Sequence, residues 1–186
     1  TVFALIMALM AEIGTLYGLH VDRAVEHMAA WFYVAGSLGA IYAGDYLTLF
    51  LFWEMMAFAS VFLIWFRRGP QSIAVGYRYL LVHTIGGVIL LAGIMLRYRA
   101  VGNITFDLMD VANPQLYTWL IMIGLGLNAA MVPLHSWLPE AYSEASFNGA
   151  VFLCAFTTKH AVYTLARASG ALDHLMVLAV LFALVQ

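Results

Sequence analysis

Charge is the scarcest property of this sequence. Its 186 residues include eight Lys or Arg and ten Asp or Glu, 10% in all, against 65% hydrophobic residues. A soluble domain of this length needs about 25% charged residues to clothe its surface. With a mean hydropathy of +0.92, most of the solvent around this chain has to be lipid. The net charge of −2 leaves no basic patch for nucleic acid and no acidic tail. Cysteine is nearly absent: Cys154 alone lies inside an apolar run. That excludes a disulfide framework and a thiolate zinc site, and it reads as a small buried hydrophobe. There is no CxxCH and no HExxH, and His83, His135 and His160 fall on different apolar runs without paired ligand spacing. No metal is expected. Nor is a cofactor, because flavin, nucleotide and iron–sulfur motifs are missing too; only a haem held between two histidines at matching depth is left open.

What is present is a series of apolar runs. Six or seven spans are expected: Val2 to Leu19, Met28 to about Ala43, Tyr46 to Phe66, about Ile73 to Leu96, one starting near Leu116, about Asn148 to Arg167, and a short last run after Asp173 and His174. The connections are short apart from Arg97 to Pro114, so neighbouring helices should pack antiparallel in one all-α, polytopic transmembrane bundle forming a single domain over residues 1–186. The first residue is Thr1, inside an apolar run with no positively charged leader, and Gln186 comes about 12 residues into the last run, about 18 Å of helix against a hydrocarbon core of about 30 Å. The expectation is a piece of a longer protein. Arg67 and Arg68 form the sharpest basic cluster beside a span, which assigns that turn to the cytoplasm. Gly14 and Gly18 form a small-residue face suited to close helix packing.

Against this background a few polar residues stand at depths that lipid disfavours. Glu54 lies eight residues into the third run, about 12 Å along, and Lys159 lies eleven residues past Asn148, about 16 Å along. A charge near the midplane costs about 2.5–3.5 kcal/mol on insertion scales, so such residues turn inward, pair, or line a wet path. A buried ion pair that only fixes packing is the plainer alternative for both. His83 sits one turn beyond Tyr79, and histidine as a residue type ordinarily titrates near neutral pH, which suits a proton relay as well as a bond to a neighbouring helix. Glu12 is a weaker case of the same kind. The stretch GLGLNAAMVPLHSWLPEA, residues 124–141, puts Asn128 at comparable depth and follows it with Pro133, His135 and Pro139. Pro133 cannot donate its backbone bond and disturbs the carbonyl of Ala129, so the helix should open just beyond Asn128. Such a break is a bland kink or the edge of an ion path.

The combination of LTLFLFWEMM, RYLLVH, NAAMVPLHSWLPEAYSEA and FTTKHAVYTLAR resembles the antiporter-like membrane subunits of respiratory complex I, Mrp-type cation/proton antiporters and membrane-bound hydrogenases, and most of all the D-type Mrp subunit. The likeness covers about residues 45–167. It implies two inverted five-helix repeats, each with a half-channel and a discontinuous helix, of which this chain would hold most or all of the first and the start of the second. It also implies a bacterial-type cell membrane, other membrane subunits as partners, and protons, with sodium or another monovalent cation, as cargo. Within that resemblance Glu54 matches the essential glutamate, Lys159 the lysine of the helix after the PLHxWLP motif, His83 a histidine in the helix after the glutamate, and His135 the motif histidine. Asn128 departs from it, because many members carry lysine there. Asparagine can donate and accept hydrogen bonds but cannot hold a proton, so the usual glutamate–lysine switch cannot operate unchanged. A transporting subunit with Asn128 as a polar relay and a scaffold subunit that lost its switch both remain open.

Overall fold

The computed structural model describes residues 2–109, 113–131 and 134–169. Among these, seven helices follow one another: α1 (Val2–Tyr17), α2 (Ala24–Tyr42), α3 (Tyr46–Trp65), α4 (Pro70–Val101), α5 (Leu116–Asn128), α6 (Trp137–Glu144) and α7 (Phe147–Ser169). A single 3-10 turn, Gly18–His20, extends α1. Three helical stretches, Val2–His20, Tyr46–Trp65 and Pro70–Val101, are long and apolar enough to cross a membrane by length and composition. The expected run after Asp173, and Pro133 itself, lie outside the described residues.

Local chemistry sets the helix limits. Asp45 caps α3, its carboxylate accepting from the Thr48 backbone N–H and hydroxyl at 2.7 Å each, as an N-cap acid should. Pro70 opens α4 at a position where its missing N–H is not needed. Gly102, at φ 78, closes it in the left-handed region that glycine tolerates. This helix runs five residues past the expected Leu96. The RYRAV segment stays helical because the Arg97 guanidinium folds back onto the Asn103 carbonyl at 3.1 Å and the Asp107 carboxylate at 3.5 Å. It also lies over the Tyr46 ring at 4.9 Å. Likewise α2 begins at Ala24, before the expected Met28, because Glu26 is buried and engaged rather than left in a polar loop.

The bundle is closed by contacts between its ends and along its seams. Arg23 donates to the Phe66 carbonyl at 3.0 Å and Arg67 pairs with Glu144 at 3.7 Å, gathering one end. At the other end Arg97 and Arg167 lie over aromatic rings, and Arg167 also donates to the Ile41 carbonyl at 3.0 Å. The arginines thus sort into the two sets that an alternating up-down chain requires. The Gly14 and Gly18 face packs on α7 as expected: a Cβ on Gly14 would meet the Phe152 ring at 3.0 Å, and one on Gly18 the Asn148 side chain at 2.6 Å. Cys154 is a correction, since it is exposed on α7 rather than buried. Glu12 is exposed on α1.

Candidate functional site: a small cavity at a broken helix

Helix α5 stops at Asn128 and α6 does not begin until Trp137. The discontinuity expected from the sequence is therefore present, and it has a defined chemistry. Ala130 takes φ 54, the Ala130 N–H returns to the Leu127 carbonyl at 3.2 Å, and the Met131 N–H returns to Gly126 at 3.1 Å. This paired return is a Schellman ending, with alanine where glycine is usual. The Trp137 indole then donates to the Leu127 carbonyl at 3.1 Å. Backbone groups freed at membrane depth need such partners. Trp137 supplies one across the break and was not singled out from the sequence, although the WLP of the motif contains it.

Around this break lies a small cavity, lined by Tyr33, Trp53, Met56, Ala57, Ser60, Tyr79, His83, Asn128 and Thr157. It offers about 10 Å³ for the centre of a water molecule, about the least that one water requires. Its walls come from five helices. His83 is 3% exposed and stacks on Tyr79 with ring centroids 3.9 Å apart. Its edge meets Trp137 at 4.6 Å and 80°. The Nδ1 of His83 lies 3.0 Å from the Tyr79 carbonyl. A carbonyl only accepts, so the hydrogen is on Nδ1 and the lone pair on Nε2. That Nε2 is buried without a hydrogen-bond partner among the described residues. Asn128 is 2% exposed, its amide nitrogen donates weakly to Gly124 at 3.4 Å, and its Oδ1 is buried and unpartnered.

Glu54 stands one step away. Its carboxylate fills the space where a Cβ on Gly87 would be, so a side chain at that position would push the carboxylate aside. The adjoining Gly86 faces the Asn128 amide nitrogen, 3.7 Å from where its own Cβ would stand. Glu54 and Asn128 thus flank one turn of α4, and His83 lies a turn earlier on the same helix. The Glu54 Oε1 is the third buried acceptor without a partner. Native interiors leave few such groups, and each calls for an explanation.

The other two expected site residues lie apart from this cavity. Lys159 is half-buried, with its ammonium donating to the Cys154 carbonyl at 2.8 Å on its own helix. Thr157 is the α7 residue that lines the cavity, and two residues along a helix is a rotation of about 200°. Lys159 therefore points to the far side of α7, beside the exposed Cys154. His135 is exposed in the turn before α6, where its carbonyl accepts from the Leu138 N–H at 3.0 Å. The structure thus brings together Glu54, His83 and Asn128, and adds Tyr33, Ser60, Tyr79 and Thr157 to them. The hydroxyl residues were missed because Ser, Thr and Tyr are ordinary in membrane helices; their signal is burial, which only packing reveals.

Comparison with known proteins agrees with this architecture. The family described as NADH:quinone oxidoreductase/Mrp antiporter, transmembrane, matches residues 43–185. NADH-quinone oxidoreductase subunit N of Desulforudis audaxviator is 35% identical over 141 residues, covering 72% of this chain and 28% of that protein. A probable K(+)/H(+) antiporter component of the D type from Rhizobium meliloti is 32% identical over 174 residues, covering 87% of this chain and 32% of that protein. Among solved structures, the membrane-bound sulfane sulfur reductase, an archaeal respiratory membrane complex, superposes with a TM-score of 0.79 at 26% identity, covering 87% of this chain and 36% of that one. The chain spans about a third of the length of these relatives. A multi-helix, lipid-facing bundle with a broken helix at its polar centre and a family match over most of its length has one consequence: this chain belongs to the antiporter-like membrane subunits of the NADH:quinone oxidoreductase/Mrp family.

Proposed function

We propose that this chain forms the first half-channel of a proton- and monovalent-cation-translocating subunit, of the D type found in Mrp-like antiporters, in a bacterial-type cell membrane and in company with other membrane subunits. The observation that carries the reading is the trio of buried, unpartnered acceptors, Glu54 Oε1, His83 Nε2 and Asn128 Oδ1, gathered around one turn of α4 beside a water-sized cavity. Burying such groups without partners lowers stability, and their persistence at a helix break fits a path that exchanges protons with water. Glu54 is the titratable group on α3, and His83 is the second, its free lone pair ready to accept. Asn128 holds a bridging water between them but keeps no proton of its own. Lys159, on the far face of α7, takes the proton onward to the rest of the subunit. The family resemblance supports the same assignment for Glu54, Lys159 and His83, and gives His135 a role at the turn.

The test uses the complete subunit in its full assembly, reconstituted in vesicles with an imposed cation gradient. Glu54→Gln should abolish proton exchange while the assembly stays intact; undiminished exchange would overturn the reading. A second reading rests on Asn128: the subunit kept the fold and lost its switch, serving as a scaffold in an antiporter, a complex I-like enzyme or a hydrogenase. Asn128→Lys separates the two. A gain of exchange from an inactive parent identifies a silenced channel, and a loss from an active parent identifies one adapted to asparagine.

A further inference from the structure

The cavity does not end at His83. Behind it a row of buried hydroxyls crosses the bundle toward a histidine that the half-channel described above does not use. The Ser60 hydroxyl gives its hydrogen to the Ala57 carbonyl at 2.7 Å, so the Tyr79 hydroxyl, 2.8 Å away, is the donor in their pair. Tyr79 and Thr157 line the same cavity. Thr157 lies 2.5 Å from the Tyr33 hydroxyl, and both line the cavity. One turn further along the same two helices comes a second rung, where Ser37 on α2 lies 3.3 Å from Nδ1 of His160 on α7. His160 is 0% exposed, its ring lies 5.2 Å from that of Trp53, and its Nε2 is buried without a partner. Trp53 forms the cavity wall on the other side.

Packing alone does not account for this arrangement. Leucine or phenylalanine would fill the His160 position without leaving an unpartnered nitrogen, which costs about 1–3 kcal/mol. The two rungs, Tyr33 with Thr157 and Ser37 with His160, are separated by one helical turn, about 5–6 Å. A gap of that length is within the reach of one bridging water. Every group in the row is a hydroxyl or an imidazole, able both to donate and to accept.

We propose that His160 is a second proton-carrying imidazole, joined to the cavity through the Tyr33–Thr157 and Ser37–His160 rungs between α2 and α7. A proton taken up at one ring nitrogen is balanced by release of another from the opposite nitrogen, so the step needs no co-reactant. Each hydroxyl passes a hydrogen on as it receives one. The inference rests on the half-channel reading of Glu54 and extends it away from α4.

The experiment compares His160→Gln, Tyr33→Phe and Glu54→Gln in the complete assembly under the same imposed gradient. His160→Gln should lower proton exchange about 100-fold, the scale of losing one positioned proton carrier. Tyr33→Phe, which removes one hydroxyl and little volume, should lower it by less. Wild-type exchange in His160→Gln beside an inactive Glu54→Gln overturns the role of His160 and leaves the half-channel standing. Wild-type exchange in both overturns the half-channel itself. Should His160→Gln fail to assemble, infrared difference spectra after a pH jump, on histidine-labelled assemblies, decide instead. A ring band that shifts in Ser37→Ala supports the proposal, and spectra unchanged by Ser37→Ala overturn it.

Discussion

Two regions of this molecule bury polar groups, and they treat them differently. At the elbow between α6 and α7 a network around Ser146 is fully engaged, although the neighbouring Asn148 keeps its buried amide without a partner among the described residues. Glu26, on α2, accepts from the Ser146 hydroxyl at 2.5 Å, and the same Ser146 oxygen accepts from the Gly149 N–H at 3.0 Å. The Ser146 N–H donates to the Leu63 carbonyl at 3.1 Å, and Arg67 donates to the Ser143 carbonyl beside its pair with Glu144. In and around the cavity Glu54, His83, Asn128 and His160 also each keep a buried atom without a partner among the described residues. Satisfied networks rigidify a fold, whereas unsatisfied ones weaken it and are kept where another role compensates. The Ser146 network therefore reads as the anchor of the broken helix, and the cavity as the part that the proposed proton exchange would use.

The contrast can be broken most decisively at Glu54. Glu54→Gln keeps the shape and removes the titrating group, so exchange in reconstituted vesicles should fall by about 100-fold or more with thermal stability retained. A matching loss of stability would move Glu54 into the anchoring class. The converse substitution is Glu26→Ala. It strips the Ser146 hydroxyl of its charged partner and should lower unfolding stability by about 2 kcal/mol in detergent, with exchange per assembled complex kept. Should exchange collapse while stability holds, the division between the two regions fails.

Smaller effects sharpen the picture. Asp45 is a paired group at a helix end, outside the spans. The Thr48 backbone N–H holds its carboxyl below the ordinary carboxylate range. Its contribution is therefore complete above the unfolded value, about pH 4, and fades as pH falls through the lowered folded value. Asp45→Ala should cost about 1 kcal/mol at neutral pH, a difference that shrinks in acid; a pH-independent difference in melting would show that charge is not what the cap uses. The smallest change is expected at Ala130. Relieving a left-handed alanine gains about 1–2 kcal/mol and glycine's added chain freedom returns part of it, so Ala130→Gly should raise stability by less than about 1 kcal/mol. A drop in melting temperature would mean that the strained turn is held for packing that glycine loosens.

Much of the fold could be read in advance, and the reasons are local. Apolar run length located every described helix except the short α6, and it placed the start of α3 at Tyr46. The break after Asn128 was legible because proline and a mid-run amide are both costly inside a plain span. Helix ends carrying charge were misjudged: α2 starts earlier and α4 ends later than expected, since Glu26 and Arg97 find partners distant in sequence or folded back from a loop. The expectation that Lys159 and Glu54 share one path, or pair as the plainer alternative, rested on similar depth. Depth fixes position along a helix but not rotation about it, and Lys159 turns toward Cys154.

The sequence by itself determined that this chain lives in lipid, that it is built of helices, that one of them breaks beside Asn128, and that Glu54 and His83 lie deep in it. Those properties follow from composition, run length and the chemistry of single residues, which act at short range along the chain. Only the tertiary structure decided which polar atoms share a space. Glu54 meets Asn128 across Gly86 and Gly87, Trp137 bridges the broken helix to His83, and His160 joins Ser37 behind Trp53. Such neighbours are set by how each helix is rotated against the others, and that rotation is fixed by packing between segments far apart in sequence.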